Sequence, residues 1–442
     1  MRLMRACLVV VAMLLCLGTA SIQAQTAPPS TAAPTSARPM LTIPPGAEAG
    51  PGFDAEKATQ AYLATQTSDQ KQRSDAYFEG GYWVQLWSFL IAIGLYWLVL
   101  SRGWSAAMRD RAERWTRYRG LQVALYWAQF ITLMSVATFP FEAYTGFVRE
   151  HQYGMATQTF GPWLGDQAKG FAVSIVMGSL AMMALYAVLR RVREAWWIWA
   201  TGVIVAFAAL SVMIAPVYIA PIFNSYTRLT EEAVRQPVLS LARANGIPAN
   251  DVFVMDASRQ TTRISANVSG LGSTMRVTLN DNLLNRSSLE EIEAVLGHEM
   301  GHYVLNHMPK MLPSLALLTA LGFGLIARVF GRLIAKHPHW RIQSVADVAG
   351  LPLILLLFAC YSTVTLPINN TLVRTSEQEA DTFGLNASRQ PDGFAAAALK
   401  LGEYRKLSPG PIEEFIFFDH PSGHTRIFNA MRWKAEHLAD AR

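Results

Sequence analysis

Two histidines four residues apart, with a glutamate beside the first, stand at His298-Glu299-Met300-Gly301-His302. On a helix this spacing puts both imidazoles on one face, about one turn apart, where they reach one metal ion. Glu299 reaches a water on that ion. Zinc, one ion per chain, is the expected metal, because two imidazoles, a carboxylate and a water suit its open catalytic geometry. Zinc lowers the pKa of its water toward ~7, and Glu299 takes the proton as hydroxide attacks a carbonyl. The helix has its own start signal: Ser288 with Glu291 three residues later forms a capping box.

A two-histidine site needs a third protein ligand. Downstream, Arg374-Thr-Ser-Glu377-Gln-Glu379-Ala380-Asp381 reads as helix, with Glu377 and Asp381 on one face and Arg374 three residues before Glu377. Taken alone, an acidic helix of this kind is more often a solvated face. Beside the histidine pair, Glu377 reads as the third ligand and Asp381 as acceptor for a ligand histidine, with Glu379 the next suspect. Further on comes Phe418-Asp419-His420-Pro421-Ser422-Gly423-His424-Thr425-Arg426. A His-Pro loop is ordinarily a turn. Here His420 reads as a hydrogen-bond donor to a developing oxyanion, and Arg426 as a residue that holds substrate backbone or orders the loop. His307, His337, His339, His424 and His437 have no such spacing and read as surface or interface residues.

The elements that must hold these residues are mostly apolar. Of 442 residues, 51% are hydrophobic and only 16% charged, against roughly 25% charged in soluble proteins. Mean hydropathy is +0.20. The net charge of +6 fits basic loops at a membrane rather than nucleic-acid binding. Three cysteines, Cys7, Cys16 and Cys360, are too few for a disulfide framework and read as buried thiols in apolar runs. Residues 1–24 have the charged start, apolar middle and small-residue end of an export signal, cleaved or kept as a short anchor. Residues 25–52, rich in Pro, Ala and Thr, read as a flexible tether, and 25–75 as the whole pre-membrane segment.

Six apolar runs follow, at 82–100, 121–141, 170–189, 196–223, 311–334 and 348–373. Most match the ~20 residues a helix needs to cross ~30 Å of hydrocarbon. Arg328 and Arg332 interrupt the fifth, and prolines 216, 221, 352 and 367 fall in the fourth and sixth. The predicted organisation is N-terminal membrane helices over 76–223, a catalytic segment over 224–310, two membrane helices over 311–373 and a second catalytic segment over 374–442. In the first catalytic segment a helix is expected at 237–245 and a strand at 252–256. Strands at 263–269 and 274–279 should pair around Gly270-Leu-Gly272. The predicted class is a predominantly α polytopic membrane protein, six to seven membrane helices around a chamber, with a zincin-like catalytic domain bearing a small sheet.

The motifs together carry a resemblance. His298-Glu299-Met-Gly-His302, Arg374-x-x-Glu377-x-x-Ala380-Asp381 and His420-Pro421 with Arg426 resemble the type I CAAX prenyl endopeptidase family. These are integral-membrane zinc proteases that process farnesylated a-factor and prelamin A. Residues 147–154, 218–224 and Ser265-Ala-Asn267 are similar to its characteristic stretches as well. The resemblance implies zinc on His298, His302 and Glu377, with Glu299 as base. It implies Asp381 as a second catalytic or proton-donating acid, and His420 and Arg426 as active-site helpers. Asn267 would lie on an edge strand that pairs with substrate. It also implies seven membrane helices around a water-filled chamber capped by the catalytic domain.

The expected activity is therefore zinc-dependent hydrolysis of peptide bonds in membrane-associated or lipidated peptides, within a lipid bilayer and without nucleic acid. One alternative is a membrane-protein quality-control metalloprotease. Another is a non-catalytic chamber protein carrying lipid or peptide, against which the intact Glu299 argues. The basic loops 101–120, 190–195 and 335–347 fall on one side if every run crosses once, and Lys and Arg mark the cytoplasmic side. The expected setting is a bacterial inner membrane with the active site facing the periplasm. Alkaline phosphatase fused after Asp256 is expected to be active, and fused after Arg111 inactive; the reverse pattern overturns this orientation.

Overall fold

The structure, a computed structural model, describes residues 38–192, 194–270 and 275–437. The expected export signal lies outside them. A short helix α1 (Ala55–Ala64) precedes a long α2 (Ser68–Ser101), then α3 (Trp104–Trp115) and α4 (Arg119–Ala143). The last continues through a π turn at Tyr144–Val148 to Gln152. Helices α5 (Phe160–Arg191) and α6 (Trp196–Ile214) complete the first half. The catalytic segment then gives β1 (Tyr226–Arg228), α7 (Glu232–Ala244), β2 (Val252–Met255), β3 (Ala266–Ser269), β4 (Arg276–Asn280), α8 (Asp281–Arg286) and α9 (Leu289–Val304). It is followed by α10 (His307–Lys336), α11 (Leu351–Val364), α12 (Leu366–Ser388), α13 (Pro391–Leu401), α14 (Pro411–Phe417) and α15 (Gly423–His437).

Among the described residues, five helices are long and apolar enough to cross a membrane: Ser68–Ser101, Arg119–Gln152, Phe160–Arg191, Trp196–Ile222 and His307–Lys336. They match the first five apolar runs. The sixth run is not one straight span. It breaks at Thr365, and α11 and α12 meet at 60°. Helix α11 has 14 residues, about 21 Å at ~1.5 Å per residue, short of a ~30 Å core. Pro367 in the first turn of α12 has no N–H to continue the ladder of α11. The expected boundary at 373/374 thus falls inside a helix, one that leaves the apolar layer carrying Glu377. Cys360, expected buried, is exposed on α11; Cys7 and Cys16 lie outside the described residues.

The spans run between two distinct ends. Near the start of α2, Tyr77 donates to Glu150 (2.6 Å) and Tyr82 to Glu413 (2.7 Å). Near its other end, Trp97 packs on His337 and Trp340. There Arg109 pairs with Asp347 (2.6 Å) and Arg341 with Asp110 (2.6 Å). So the basic loops 101–120 and 335–347 meet at one end, and the catalytic segments gather at the other. Despite Pro216 and Pro221, the fourth run passes from one end to the other. Its π turn and 3-10 turn end against the catalytic segment, where Arg276 donates to Pro216 O (2.7 Å) and Arg259 to Phe223 O (2.9 Å).

The sheet has order β1-β2-β4-β3. Strands β1 and β2 are antiparallel, β2 and β4 parallel, β3 and β4 antiparallel. The expected β3–β4 pairing is present, β1 was not anticipated, and β3 is an edge strand. Its buried side, with Leu279 and Val277 of β4, packs with Ile292, Leu296 and Met300 of α9 in one cluster. The expected tether is packed from residue 38 onward. Arg38 pairs with Glu231 (2.7 Å), and Lys434 of α15 donates to Ala47 O (2.7 Å) and to Asp392 (2.7 Å). Tyr62 of α1 donates to the same Asp392 (2.8 Å). Apolar Ala58 and Tyr62 join Phe394, Ile427 and Met431 in a third cluster, so the sequence 38–64 buries surface on a partner that its composition alone does not reveal.

Helices α9 and α12 cross almost backbone to backbone. A Cβ on Gly384 would meet His298 N at 2.7 Å, one on Gly297 would meet Gly384 O at 2.9 Å, and one on Gly301 would meet Ala380 Cα at 3.1 Å. No side chain fits between them. Overpacking costs about 1–3 kcal/mol, so Gly384→Ala is expected to lower the melting temperature and weaken metal binding together. A variant that melts and binds metal like the parent would show that the crossing tolerates separation.

Candidate active site

The crossing brings side chains from sequence positions nearly eighty apart to one point. His298 Nε2 lies 3.2 Å from His302 Nε2 and 3.3 Å from Glu377 Oε2, and His302 Nε2 lies 3.6 Å from Glu377 Oε1. One ligand atom from each of the three falls within 4.8 Å of the others. The Ser288–Glu291 capping box that starts α9 is present in full.

These atoms fit a cation. Two imidazole nitrogens face one another and a carboxylate, and Glu377 Oε2 is buried without a well-formed hydrogen bond. Burial lowers His298, but the hydrogen bond from its ring to Asp381 and the close negative charge of Glu377 push it up to about 10. Burial and the neighbouring charge of His298 push His302 down to about 4. A centre that holds a proton against burial demands positive charge, and a divalent cation supplies it with both rings neutral.

The far side of His298 is fixed. Its Nδ1–H donates to Asp381 Oδ1 (2.7 Å), since a carboxylate only accepts, and in the neutral ring this leaves the lone pair on Nε2, toward the cluster. Arg426 of α15 donates to both oxygens of Asp381, from Nε (2.9 Å) and Nη2 (2.5 Å), and its guanidinium lies over the Phe394 ring. Both charges are buried, and each needs the other. Asp381 therefore sits directly behind His298, on the side of the ring away from the cluster. Arg426 grips that carboxylate directly.

His420 completes the near side. Its Nε2 is 3.1 Å from Glu377 Oε2, and its Nδ1–H donates to Asp419 (2.8 Å). Burial and the nearby charge of Arg405 hold His420 below its ordinary value. Arg374 donates to Glu414 O (3.0 Å) and Phe418 O (2.5 Å), so it ties α12 to the loop that carries His420. Glu299 lies half-buried on α9 beside the pair. Asn267 is exposed on edge strand β3, opposite Thr278 of β4, and its Oδ1 accepts from Ser269 Oγ (3.2 Å).

Two residues were read wrongly or missed. His307, expected at the surface, is 4% exposed. It meets His302 Nδ1 at 2.9 Å with its own Nδ1, and Glu379 Oε2 at 3.1 Å with its Nε2. Glu379, the reserve ligand, is thus on His307 and not in the cluster. Asp419 has no ligand spacing of its own, and its place beside His420 in the His-Pro loop is the signal the sequence offers for it.

Residues 55–225 match the family described as CAAX prenyl protease N-terminal, five membrane helices, and residues 228–434 match Peptidase family M48. CAAX prenyl protease 1 of Saccharomyces cerevisiae is 30% identical over 316 residues, 67% of this chain and 69% of the relative. The chain belongs to peptidase family M48. The Bacillus subtilis protein named uncharacterized metalloprotease YhfN is 28% identical over 352 residues, 78% of this chain and 82% of the relative. The crystal structure of S. mikatae Ste24p shares the fold, with a TM-score of 0.69 at 20% identity, covering 84% of this chain and 93% of that one. This M48 member is an integral-membrane metalloprotease, a hydrolase of peptide bonds.

Loss of a hydrogen-bonded partner behind a metal-binding histidine typically weakens affinity 10–100-fold. Asp381→Asn is expected to do so in a chelator-competition titration, because the amide no longer holds both His298 and Arg426. Parent-like affinity would remove Asp381 from its supporting role.

Proposed function

We propose that this M48 protease is a zinc endopeptidase acting on membrane-associated or lipidated peptides. The observation that carries the reading is the meeting of His298, His302 and Glu377 at one point next to Glu299. His298, His302 and Glu377 would hold one zinc ion, which when bound supplies Lewis-acid polarisation and an acidified water. Glu299 takes the proton of the attacking water and returns it to the leaving amine. Asp419 accepts the hydrogen bond from Nδ1–H of His420 and so stabilises the ring in its doubly protonated form, which donates from Nε2 to the carbonyl oxygen as negative charge develops there. Arg426 and Asp381 keep His298 oriented; their mutual pairing leaves Asp381 ionised and without a proton to give.

Edge strand β3 offers unpaired backbone groups, and an extended peptide can add to it as a further strand, with Asn267 at its exposed face. Substrates that reach this strand come from the end of the spans opposite the basic loops. By the charge rule that end faces the periplasm of a bacterial inner membrane. Relatives carry the name CAAX prenyl protease, which supports a membrane-held peptide as substrate class.

Purified Glu299→Gln is expected to retain zinc and lose hydrolysis of a reporter peptide by about 10²–10⁴. Substantial turnover in the metal-replete variant would defeat the role of Glu299. His420→Phe should also keep zinc, with kcat lowered by about 10²–10³, the loss typical of one oxyanion donor; an unchanged kcat would return His420 to a simple turn residue. Proteins trapped on Glu299→Gln in membranes, identified by mass spectrometry, should be membrane-associated or lipidated; a purely soluble set would discard that substrate class.

A further inference from the structure

The two metal-facing histidines are supported differently. His298 is backed by the buried Asp381–Arg426 pair. Behind His302 runs a second line: His302 Nδ1 to His307 Nδ1 at 2.9 Å, then His307 Nε2 to Glu379 Oε2 at 3.1 Å. His307 is buried, while half of the Glu379 side chain is exposed. The line therefore leads from the site to solvent.

Its proton positions follow from the far end. A carboxylate accepts only, so His307 Nε2 carries a hydrogen. A neutral His307 then has a bare Nδ1, which accepts from His302 Nδ1–H. That leaves the lone pair of His302 on Nε2, the nitrogen that faces His298 and Glu377. The opposite tautomer of His302 would set two bare nitrogens against each other at 2.9 Å and aim a hydrogen at the metal position.

The chain geometry is built for this contact. Helix α9 ends at Val304 and α10 starts at His307. Asn306 between them has φ 55° and ψ 42°, the left-handed conformation. Asn enters that region more readily than other side chains. The reversal folds the His307 ring back onto His302, their centroids 5.0 Å apart.

We propose that His307 and Glu379 form a positioning pair that locks the tautomer and orientation of His302 for metal binding. His307 touches no substrate in this scheme and acts through His302. The inference rests on His302 being a ligand, which His302→Ala tests separately.

Zinc affinity is measured by chelator competition on the full-length protein in detergent, and the site is followed in parallel by the visible spectrum of Co²⁺. His307→Leu should bind zinc about 10–100-fold more weakly. His307→Asn should restore most of the affinity, because its Oδ1 stands at the same bond count as Nδ1 and accepts from His302 Nδ1–H. Glu379→Ala, changed at a half-exposed carboxylate, should fold normally and show an intermediate loss with an altered Co²⁺ spectrum. Parent affinity in His307→Leu overturns the proposal. So does a His307→Asn protein that loses as much as His307→Leu while the metal-free melting temperature is unchanged. If His307→Leu does not fold, Glu379→Ala decides: parent affinity and an unchanged spectrum overturn the pair. Should His302→Ala bind zinc like the parent, the ligand assignment itself fails, whatever His307 does.

Discussion

The site depends on one helix crossing. His298 and His302 are useful only because α12 lies against α9 with no side chains between, and that requires Gly297, Gly301, Ala380 and Gly384 at the contact. Small residues on both helices allow the backbones to approach, and the long side chains flanking them, two imidazoles and a carboxylate, are then forced to one point. A bulkier contact would hold the helices near the usual 8–10 Å separation and spread the three ligands apart. The apolar clusters above and below serve the same end. Ile292, Leu296 and Met300 fix one side of α9 on the sheet, while Leu385 joins the cluster of α13, α15 and α1.

The membrane helices set the terms of that crossing. Between His302 and Glu377 the chain leaves along α10, turns at the basic end, and returns along α11. It then bends by 60° at Thr365 so that α12 enters the catalytic end at an angle. A straight final span would carry Glu377 past α9. The bend comes from Pro367, whose missing N–H releases the ladder at the right depth. Long-range closure of this kind is slow to find and costs chain entropy. The buried Arg109–Asp347 pair at the basic end, together with Ser105 donating to Ala349 O (2.7 Å), helps hold the return path in register.

Much of this was legible in the residues. The pairing of His298 with His302 followed from helical spacing, Glu377 from the acidic helix read beside them, the start of α9 from its capping box, and five spans from long apolar runs, four of them uncharged. The β3–β4 pairing followed from alternation around glycines. What escaped has a common cause: it depends on partners far away in sequence. The proline in the sixth run was visible, but the direction of the bend is set by packing. Residues 25–52 look like a tether because they are rich in Pro, Ala and Thr, and 25–75 like a segment outside the folded core. Yet Tyr62 finds Asp392, and Lys434 finds both Asp392 and Ala47 O. His307 failed the spacing test for a ligand, and spacing on one helix cannot reveal a ring turned back by a left-handed Asn306.

The support of the two histidines is asymmetric, and electrostatics explains why. The carboxylate behind His298 is wholly enclosed, and a lone buried charge would be expensive, so it comes with a bidentate arginine on a second helix. That arginine must itself be anchored, and α15, clamped by α1 and α13, anchors it. Orientation of His298 is thus tied to segments from residue 47 to residue 434. The carboxylate that terminates the His302 line needs no such partner, because water solvates Glu379 where it emerges. A neutral imidazole is inserted instead, which carries the orientation outward without burying a charge. One histidine is therefore coupled to the global fold and the other to a local turn, so disturbances far from the cluster should reach His298 before they reach His302.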